Sequence, residues 1–265
     1  LIPTDWLIPD WPAPASVKAV FTTRQGGFSA APWGSMNLGD HVGDLPQQVQ
    51  ANRGMLQKAI NSRPVFLKQV HSFGVAHLSH ATQDGAVADA CVTAQRGLAC
   101  SIMVADCLPV LLTNLEGTAV AAAHAGWRGL VGTDGKGVLE AVFSAFQGLN
   151  RPSDQSIRVQ EAPEIIAWLG PCIGPTAFEV GAEVEAAFAA SQPGATSFFT
   201  AIQNGKFLAD LAGLARARLQ GFGITQIFGN NSSAAWCTVG NPSKYFSHRR
   251  DAGVTGRMAA CIWLV

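Results

Sequence analysis

The chain has 265 residues, of which 48% are hydrophobic and only 14% are charged, with 18 Lys and Arg balanced by 18 Asp and Glu. That apolar content can build one large core, and no Ser/Gly/Pro-rich linker or charge run divides the chain, so a single domain over residues 1–265 is expected. The charge balance gives no support to a nucleic-acid partner, no apolar run reaches the length of a membrane-spanning helix, and a small, mostly neutral ligand fits the rest.

The opening LIPTDWLIPDWPAP has no basic start and no continuous apolar stretch, so no secretory leader is expected and the reading is cytoplasmic. VKAVFTT (17–23) reads as a short strand, and RQGGFSAAPWGSMNLGDHVGD (24–44) as a long loop, too rich in Gly, Ser and Asn to be regular. PQQVQANRGMLQKAI (46–60) reads as a helix with Pro46 in its first turn and Asp44 as its cap. VFLKQVH (65–71) reads as a strand ending on His71. LACSIMVAD (98–106) and PVLLTN (109–114) read as strands joined at Cys107. The second continues through NLEG into TAVAAAHA (118–125), a hairpin with His124 at its end.

A helix is expected from about 134 to 147, then a buried strand over IIAWLGPCI (165–173) and a helix within 175–190. A further helix lies within 206–223, with Gly221 and Gly223 as stops. ITQIFGN (224–230) and GRMAACIWLV (256–265) close the chain as strands. The six cysteines, at 91, 100, 107, 172, 237 and 261, form no CxxC pair. They read as free thiols of a reducing compartment, with Cys100, Cys172 and Cys261 as core residues.

Three segments each place one good metal ligand beside apolar or glycine-rich sequence: KQVHSFGV with His71, VADCLPVLL with Cys107 and AVAAAHAGWRG with His124. Zinc held by three protein groups keeps a fourth position for water or substrate, the mark of a catalytic rather than a structural site. Separations of 36 and 17 residues make no local motif, however. Taken singly, a hydrogen-bonded histidine or a core cysteine accounts for each. His77 and His80 would be further ligands if HLSH were helical, and solvated residues of a loop or strand otherwise.

In chain order, FTTRQGGFSAAPWGSMNLGDHVGD, KQVH, ADCLPVLL, HAGWRG, GPCIGPTAFEVG and SHRRDAGVTGRMAACIWL closely resemble the YfiH-type family, from about residue 5 to the C-terminus. This is the bacterial purine nucleoside phosphorylase family formerly labelled multicopper polyphenol oxidoreductase, or laccase-like. The resemblance implies an α/β (mixed α+β) fold, layered α/β/β/α, with two mixed sheets flanked by helices. It puts His71, Cys107 and His124 on the ligands of one Zn²⁺. It implies phosphorolysis of adenosine, inosine, guanosine and methylthioadenosine, and hydrolytic deamination of adenosine in the same pocket. Purine nucleosides and phosphate are then the partners. Six histidines without an HxH pair argue against a laccase copper cluster. Adventitious Cu²⁺ could still enter the one N/S site, because affinity alone favours copper.

The HxE and PCxxC motifs of other zinc deaminases are absent, so the proton-handling group must come from elsewhere. Asp106, beside Cys107, and Glu179, in AFEVG, are the candidates. Asp106 needs a bend in the chain, since adjacent strand residues face opposite ways. Arginine suits phosphate because its planar fork matches oxyanions. Arg24, Arg128, Arg249, Arg250 and Arg257 all lie in family-like motifs, with Arg250 and Arg24 favoured. The expected catalytic set is Cys107, Asp106 and Arg250, with Arg24, Asn37, Gln69 and Arg128 contacting substrate and Trp127 available to stack on a purine. The glycine-rich stretch AGWRGLVGTDGKG (125–137) could offer backbone N–H groups to an anion, though it is not a Walker A motif. Two other readings compete: a cysteine hydrolase with Cys107 as nucleophile and His124 as base, as in deamidating toxins whose fold the family resembles, and a peptidoglycan-editing role.

Overall fold

Segments 98–104, 108–114, 120–125 and 258–264 bury every residue, as strands covered on both faces do. The structure is a computed structural model and describes residues 1–149 and 164–265. In chain order its elements are β1 (Val17–Phe21), α1 (Pro46–Ile60), β2 (Arg63–Phe66), β3 (Val75–His77), β4 (Ala90–Thr93), β5 (Leu98–Val104), β6 (Leu108–Asn114) and β7 (Val120–Ala125). They continue with α2 (Trp127–Val131), α3 (Val138–Leu149), β8 (Ile165–Leu169), β9 (Glu179–Val180), α4 (Ala182–Ser191), β10 (Phe199–Ala201), β11 (Phe207–Ala209), α5 (Leu211–Gly221), β12 (Ile227–Gly229) and β13 (Met258–Leu264).

Two mixed sheets form the middle of the fold. One has the order β1-β13-β5-β2, with β2 parallel to β5 and the other pairs antiparallel. The other has the order β12-β8-β6-β7-β4-β3, parallel only at its two outer pairs. Side-chain alternation sorts each strand between layers. Leu98, Cys100, Ile102 and Val104 of β5 meet Leu111, Val120, Ala122 and Trp168 between the sheets. Ala99 and Met103 turn the other way, onto Leu56 and Ile60 of α1. Beyond the six-stranded sheet, Val110, Leu112, Ala121 and Ala123 pack on residues of α3, α4 and α5. The four layers implied by the resemblance are therefore present. A third sheet, β10-β11-β9, small and antiparallel, is added to them. Among the described residues no helix is long and apolar enough to cross a membrane.

Several local expectations need correction. Helix α1 has the expected bounds, but its cap position is Leu45 without a side-chain bond. Asp44 instead accepts from Ser29 Oγ at 2.6 Å, Asn37 Nδ2 at 2.8 Å and Leu45 N at 2.8 Å, which ties down the loop before the helix. The third helix starts at Val138 rather than near 134. The five-residue α2 was hidden by the glycines around it. The strand expected over 65–71 stops at Phe66 and does not reach His71, for the reason given below.

A buried amide also holds the 24–44 loop. Asn52 on α1 is fully buried. Its Nδ2 donates to Ser29 Oγ at 3.0 Å, Ser35 O at 3.1 Å and Asn37 O at 2.8 Å, and its Oδ1 accepts from Phe28 N at 2.8 Å. Asn52→Leu leaves these partners unsatisfied and should lower stability by about 3 kcal/mol in a denaturant titration.

Candidate metal centre and its cavity

Strand register brings the first two ligands together. In the β6–β7 hairpin Pro109 pairs with His124. Cys107, immediately before β6, therefore lies beside His124 despite the sequence distance. His124 shares a strand face with Val120 and Ala122 and so points between the sheets. On the other side of β7, Ala90 of β4 pairs with Ala123, which sets Asp89 against His124. Asp89 O accepts His124 N at 2.7 Å, and Asp89 Oδ1 lies 2.9 Å from His124 Nδ1.

The same carboxylate places the third ligand. Asp89 is fully buried and accepts from Val70 N at 3.1 Å, His71 N at 2.9 Å, Ser72 N at 2.8 Å and Ser72 Oγ at 3.0 Å. Three consecutive N–H groups converging on one carboxylate cannot also serve a strand ladder. The strand cannot run on to His71 for this reason; after Phe66 the chain pairs instead at Lys68 with Ala86 and Ala88, and His71 takes a left-handed φ of 59°. Gln69 pins the loop from its other side: its Nε2 donates to Met103 O and its Oε1 accepts Met103 N, both at 2.8 Å.

The ligand atoms of His71, Cys107 and His124 all lie within 4.8 Å of one another, and Cys107 Sγ is 3.8 Å from His71 Nε2. Donors around a tetrahedral zinc stand roughly 3.5 Å apart, so the set is slightly more open than a filled site and would hold an ion through Cys107 Sγ and one ring nitrogen of each histidine. With Nδ1 engaged by Asp89, His124 has Nε2 free for a metal, the carboxylate–histidine–metal arrangement. Glycine keeps the space clear: a Cβ on Gly126 would lie 3.0 Å from both Cys107 Sγ and His71 Cδ2, and one on Gly129 would lie 2.8 Å from Ser72 O. Gly126 and Gly129 thus serve close packing around the candidate ligands, whereas Gly132 and Gly137 make room for backbone of their own turn.

Without an ion Cys107, His124 and Asp89 form a charged cluster. Burial works against the Cys107 thiolate, but His124 and then His71 outweigh it and bring its pKa down to about 6. Burial also disfavours a charged His124, yet the Cys107 thiolate and Asp89 raise it to about 9. Burial would push Asp89 up, but hydrogen bonds from His124 and from the Ser72 and Val70 N–H groups hold it at about 2.

These groups open into a cavity of about 410 Å³. Of the sequence candidates, Gln69, Asp106, Cys107, Trp127 and Arg128 line it with the two histidines. The Arg128 guanidinium lies 4.5 Å from the Trp127 ring centre. Asp106 has the bend it needs, at φ 90°. Its carboxylate accepts from Thr238 Oγ1 at 2.5 Å, Ser247 Oγ at 3.0 Å and Arg249 N at 2.7 Å, which ties segment 238–249 to the strand end bearing Cys107.

Arg24, Asn37, Arg250 and Glu179 are not brought to the cavity. Arg24 donates to Gly34 O at 3.2 Å and Pro242 O at 3.1 Å and lies 4.8 Å over Phe246. Asn37 is buried and accepts both Gly39 N and Arg257 N at 2.9 Å. Arg250 makes a fork with Asp251 at 2.8 Å on both oxygens and donates to Thr238 O and Tyr245 O. Glu179 is exposed and pairs with Lys206 Nζ at 2.5 Å. His77 and His80 are exposed and apart from the cluster. Sequence reasoning did not single out Asp89, His41, Phe178 or His248, and it ranked Arg249 and Arg257 below Arg24 and Arg250. The NLGD and SHRRD segments carried the signal for the cavity residues, since a short polar loop beside Gly marks a built turn. Asp89 had none, because its partners, three backbone N–H groups, a serine hydroxyl and a histidine ring, lie 17 to 35 residues away.

A family model described as multi-copper polyphenol oxidoreductase laccase matches residues 18–265. The chain is 46% identical over 260 residues to a Pseudomonas aeruginosa protein named purine nucleoside phosphorylase PA4543, covering 98% of each. It is 47% identical over 263 residues to Escherichia coli K12 purine nucleoside phosphorylase YfiH, again covering 98% of each. Among solved structures, Neisseria meningitidis protein NMB0706 superposes with a TM-score of 0.86 at 44% identity, over 98% of this chain and 99% of that one. YlmD from Geobacillus stearothermophilus gives 0.81 at 29% identity, over 94% and 92%.

Two outcomes follow from the centre. Asp89→Asn places an amide where five N–H or O–H donors converge, and it should weaken Zn²⁺ or Co²⁺ binding by about 10–100-fold in a chelator competition titration. In metal-free protein the thiolate is the reactive form. Alkylation of Cys107 by iodoacetamide should therefore rise about tenfold per pH unit below pH 6 and level off above it, whereas an ordinary thiol levels off only above about 8.5.

Proposed function

The chain belongs to the family described as multi-copper polyphenol oxidoreductase laccase, and on that premise we propose that it is a zinc-dependent purine nucleoside phosphorylase. The observation that carries this reading is the convergence of His71, Cys107 and His124 on a cavity of purine-nucleoside size. Among the described residues this is the one group of three or more His, Cys, Asp or Glu ligands that meet. A multinuclear copper cluster has no counterpart there, whereas one N₂S site suits zinc. The relatives' names supply the reaction class, and their identity over nearly full length supports its transfer.

In phosphorolysis a phosphate oxygen bonds to ribose C1′ as the C1′–N9 bond breaks. The bonding pair leaves with the purine, which takes up a proton. Zinc held by two imidazoles and a thiolate supplies Lewis acidity to the pocket when bound. The protein's own share is placement. Trp127 and Phe178 offer apolar faces to the base, and Gln69 and Asp106 fix the loops beside Cys107. We assign adenosine, inosine, guanosine and methylthioadenosine as substrates. Hydrolytic deamination of adenosine is a second reaction, in which a water oxygen bonds to C6 and ammonia leaves.

One observation favours a second reading. Cys107, His124 and Asp89 form a thiolate, imidazole and carboxylate in the order of a cysteine hydrolase, with the thiol pKa already near 6. Metal separates the two readings, since zinc would occupy the nucleophile. Purified protein with about one zinc per chain should convert adenosine to adenine and ribose-1-phosphate only when phosphate is present, and form inosine without it. Complete chelation, or Cys107→Ala in a protein that keeps its circular dichroism, should abolish both. Turnover that survives zinc removal supports the thiolate mechanism instead.

A further inference from the structure

Among the described residues some arginines pair with carboxylates and others do not. Arg53 pairs with Asp40 and Asp84, Arg218 with Glu140, and Arg250 with Asp251. Three arginines line the cavity without a carboxylate partner among the described residues: Arg128, stacked on Trp127, Arg249, which donates to Glu179 O, and Arg257. The Nη1 of Arg257 donates to Thr255 O and Gly256 O, both at 3.1 Å, and its Nε and Nη2 have no protein partner among those residues. A half-buried guanidinium with an open fork costs solvation that an anion would restore, and the fork's geometry matches a tetrahedral oxyanion.

The fold takes trouble to put Arg257 there. Its backbone N–H is held by Asn37 Oδ1 at 2.9 Å. A Cβ on Gly39 would lie 2.7 Å from Arg257 Cγ, so only glycine leaves room for this side chain. Burial lowers the Arg257 pKa, and the Cys107 thiolate and Asp106 act on it in the opposite sense, as charges facing one cavity do. Burial and then the Arg257 charge hold the next lining residue, His41, below its usual value. Both residues come from chain flanking the four-stranded sheet. The apolar wall comes from the other side: Ile173, Phe178 and Leu211 belong to the core beyond the six-stranded sheet. Cys107 packs against the core between the sheets and so lies between the two.

We propose that Arg257, with His41 beside it, seats the attacking phosphate, while the Trp127–Phe178 wall takes the purine. The assignment rests on the phosphorylase reading for the identity of the anion. It moves the phosphate contact from Arg24 and Arg250, whose guanidinium groups are spent on carbonyls and Asp251, to a residue held open by Asn37 and Gly39. It also gives the NLGD segment its meaning: Asn37 and Gly39 are positioning residues for Arg257, and His41 stands two residues further on.

Binding of inorganic phosphate to the zinc-loaded protein, followed by titration calorimetry, tests this apart from turnover. Wild type should bind phosphate. Arg257→Gln should weaken it at least tenfold with zinc content unchanged, and Gly39→Ala, which removes no charge, should weaken it severalfold by displacing Arg257. In steady-state assays Arg257→Gln should raise KM for phosphate at least tenfold and leave KM for the nucleoside within about twofold. If Arg257→Gln fails to fold, the exposed His41→Asn carries the test, with an expected loss of threefold or more. Phosphate binding absent in wild type, or unchanged in the variants, overturns the proposal. Arg257-dependent phosphate binding without phosphate-dependent base release supports the anion seat and overturns the phosphorylase reading instead.

Discussion

Asp89 is a buried carboxylate with five donors around it, and the site exists because those donors come from two places. Three backbone N–H groups and one hydroxyl belong to the loop that carries His71, while the fifth donor is the ring of His124. A carboxylate is acceptor-only when ionised, so it can gather several donors at once, which no neutral residue of its size does. Its burial is tolerable because every oxygen is satisfied. The position of His71, the orientation of His124 and the low pKa of the carboxylate are three results of one arrangement. The β4–β7 register supplies it, by setting Asp89 opposite the strand end that holds His124.

The cavity gains its character from the layers that meet at it. Apolar side chains from the helix-covered side of the six-stranded sheet form one wall, with Arg128 over Trp127 and Arg249 over Phe178, and His41 and Arg257 come from chain near the four-stranded sheet. A nucleoside has the same division, with an aromatic base at one end and hydroxyls next to the reacting carbon at the other. The family description speaks of several coppers, yet the described residues bring together one set of three ligands. An N₂S donor set suits zinc and copper alike, so the donor types by themselves do not choose between the two.

How much of this was legible beforehand depended on the range of the interaction. Pro46–Ile60 and the β6–β7 hairpin were readable because their signals are local: a proline in a first turn, and two apolar runs around a short polar turn. The pairing of Cys107 with His124 followed from that hairpin once its register was known. The break between Phe66 and His71 was not readable. The apolar run through Val65–Leu67 promises a strand, and the competing attraction of Asp89 lies about 20 residues ahead. Arg24 and Arg250 looked like phosphate ligands for the same reason that Arg257 did. What separates them is which nitrogens of the fork are engaged: Nε of Arg24 bonds Gly34 O and that of Arg250 bonds Asp251, whereas Arg257 bonds carbonyls through Nη1 alone, and that is a tertiary fact. The layered order came from resemblance, since strand periodicity does not choose among mixed folds.

The His71 loop leaves the four-stranded sheet at β2 and enters the six-stranded sheet at β3, whereas Cys107 and His124 belong to the six-stranded sheet's central hairpin. An ion joining all three would therefore act as a cross-link between chain segments far apart in sequence, closing loops that the unfolded chain leaves open. Its binding energy would add to the cohesion of the two layers as well as to the site, because the unfolded chain offers no preformed set to compete for it. In such a protein the supply of metal regulates lifetime as much as turnover: a cell short of the ion would hold fewer folded copies, and not merely idle ones.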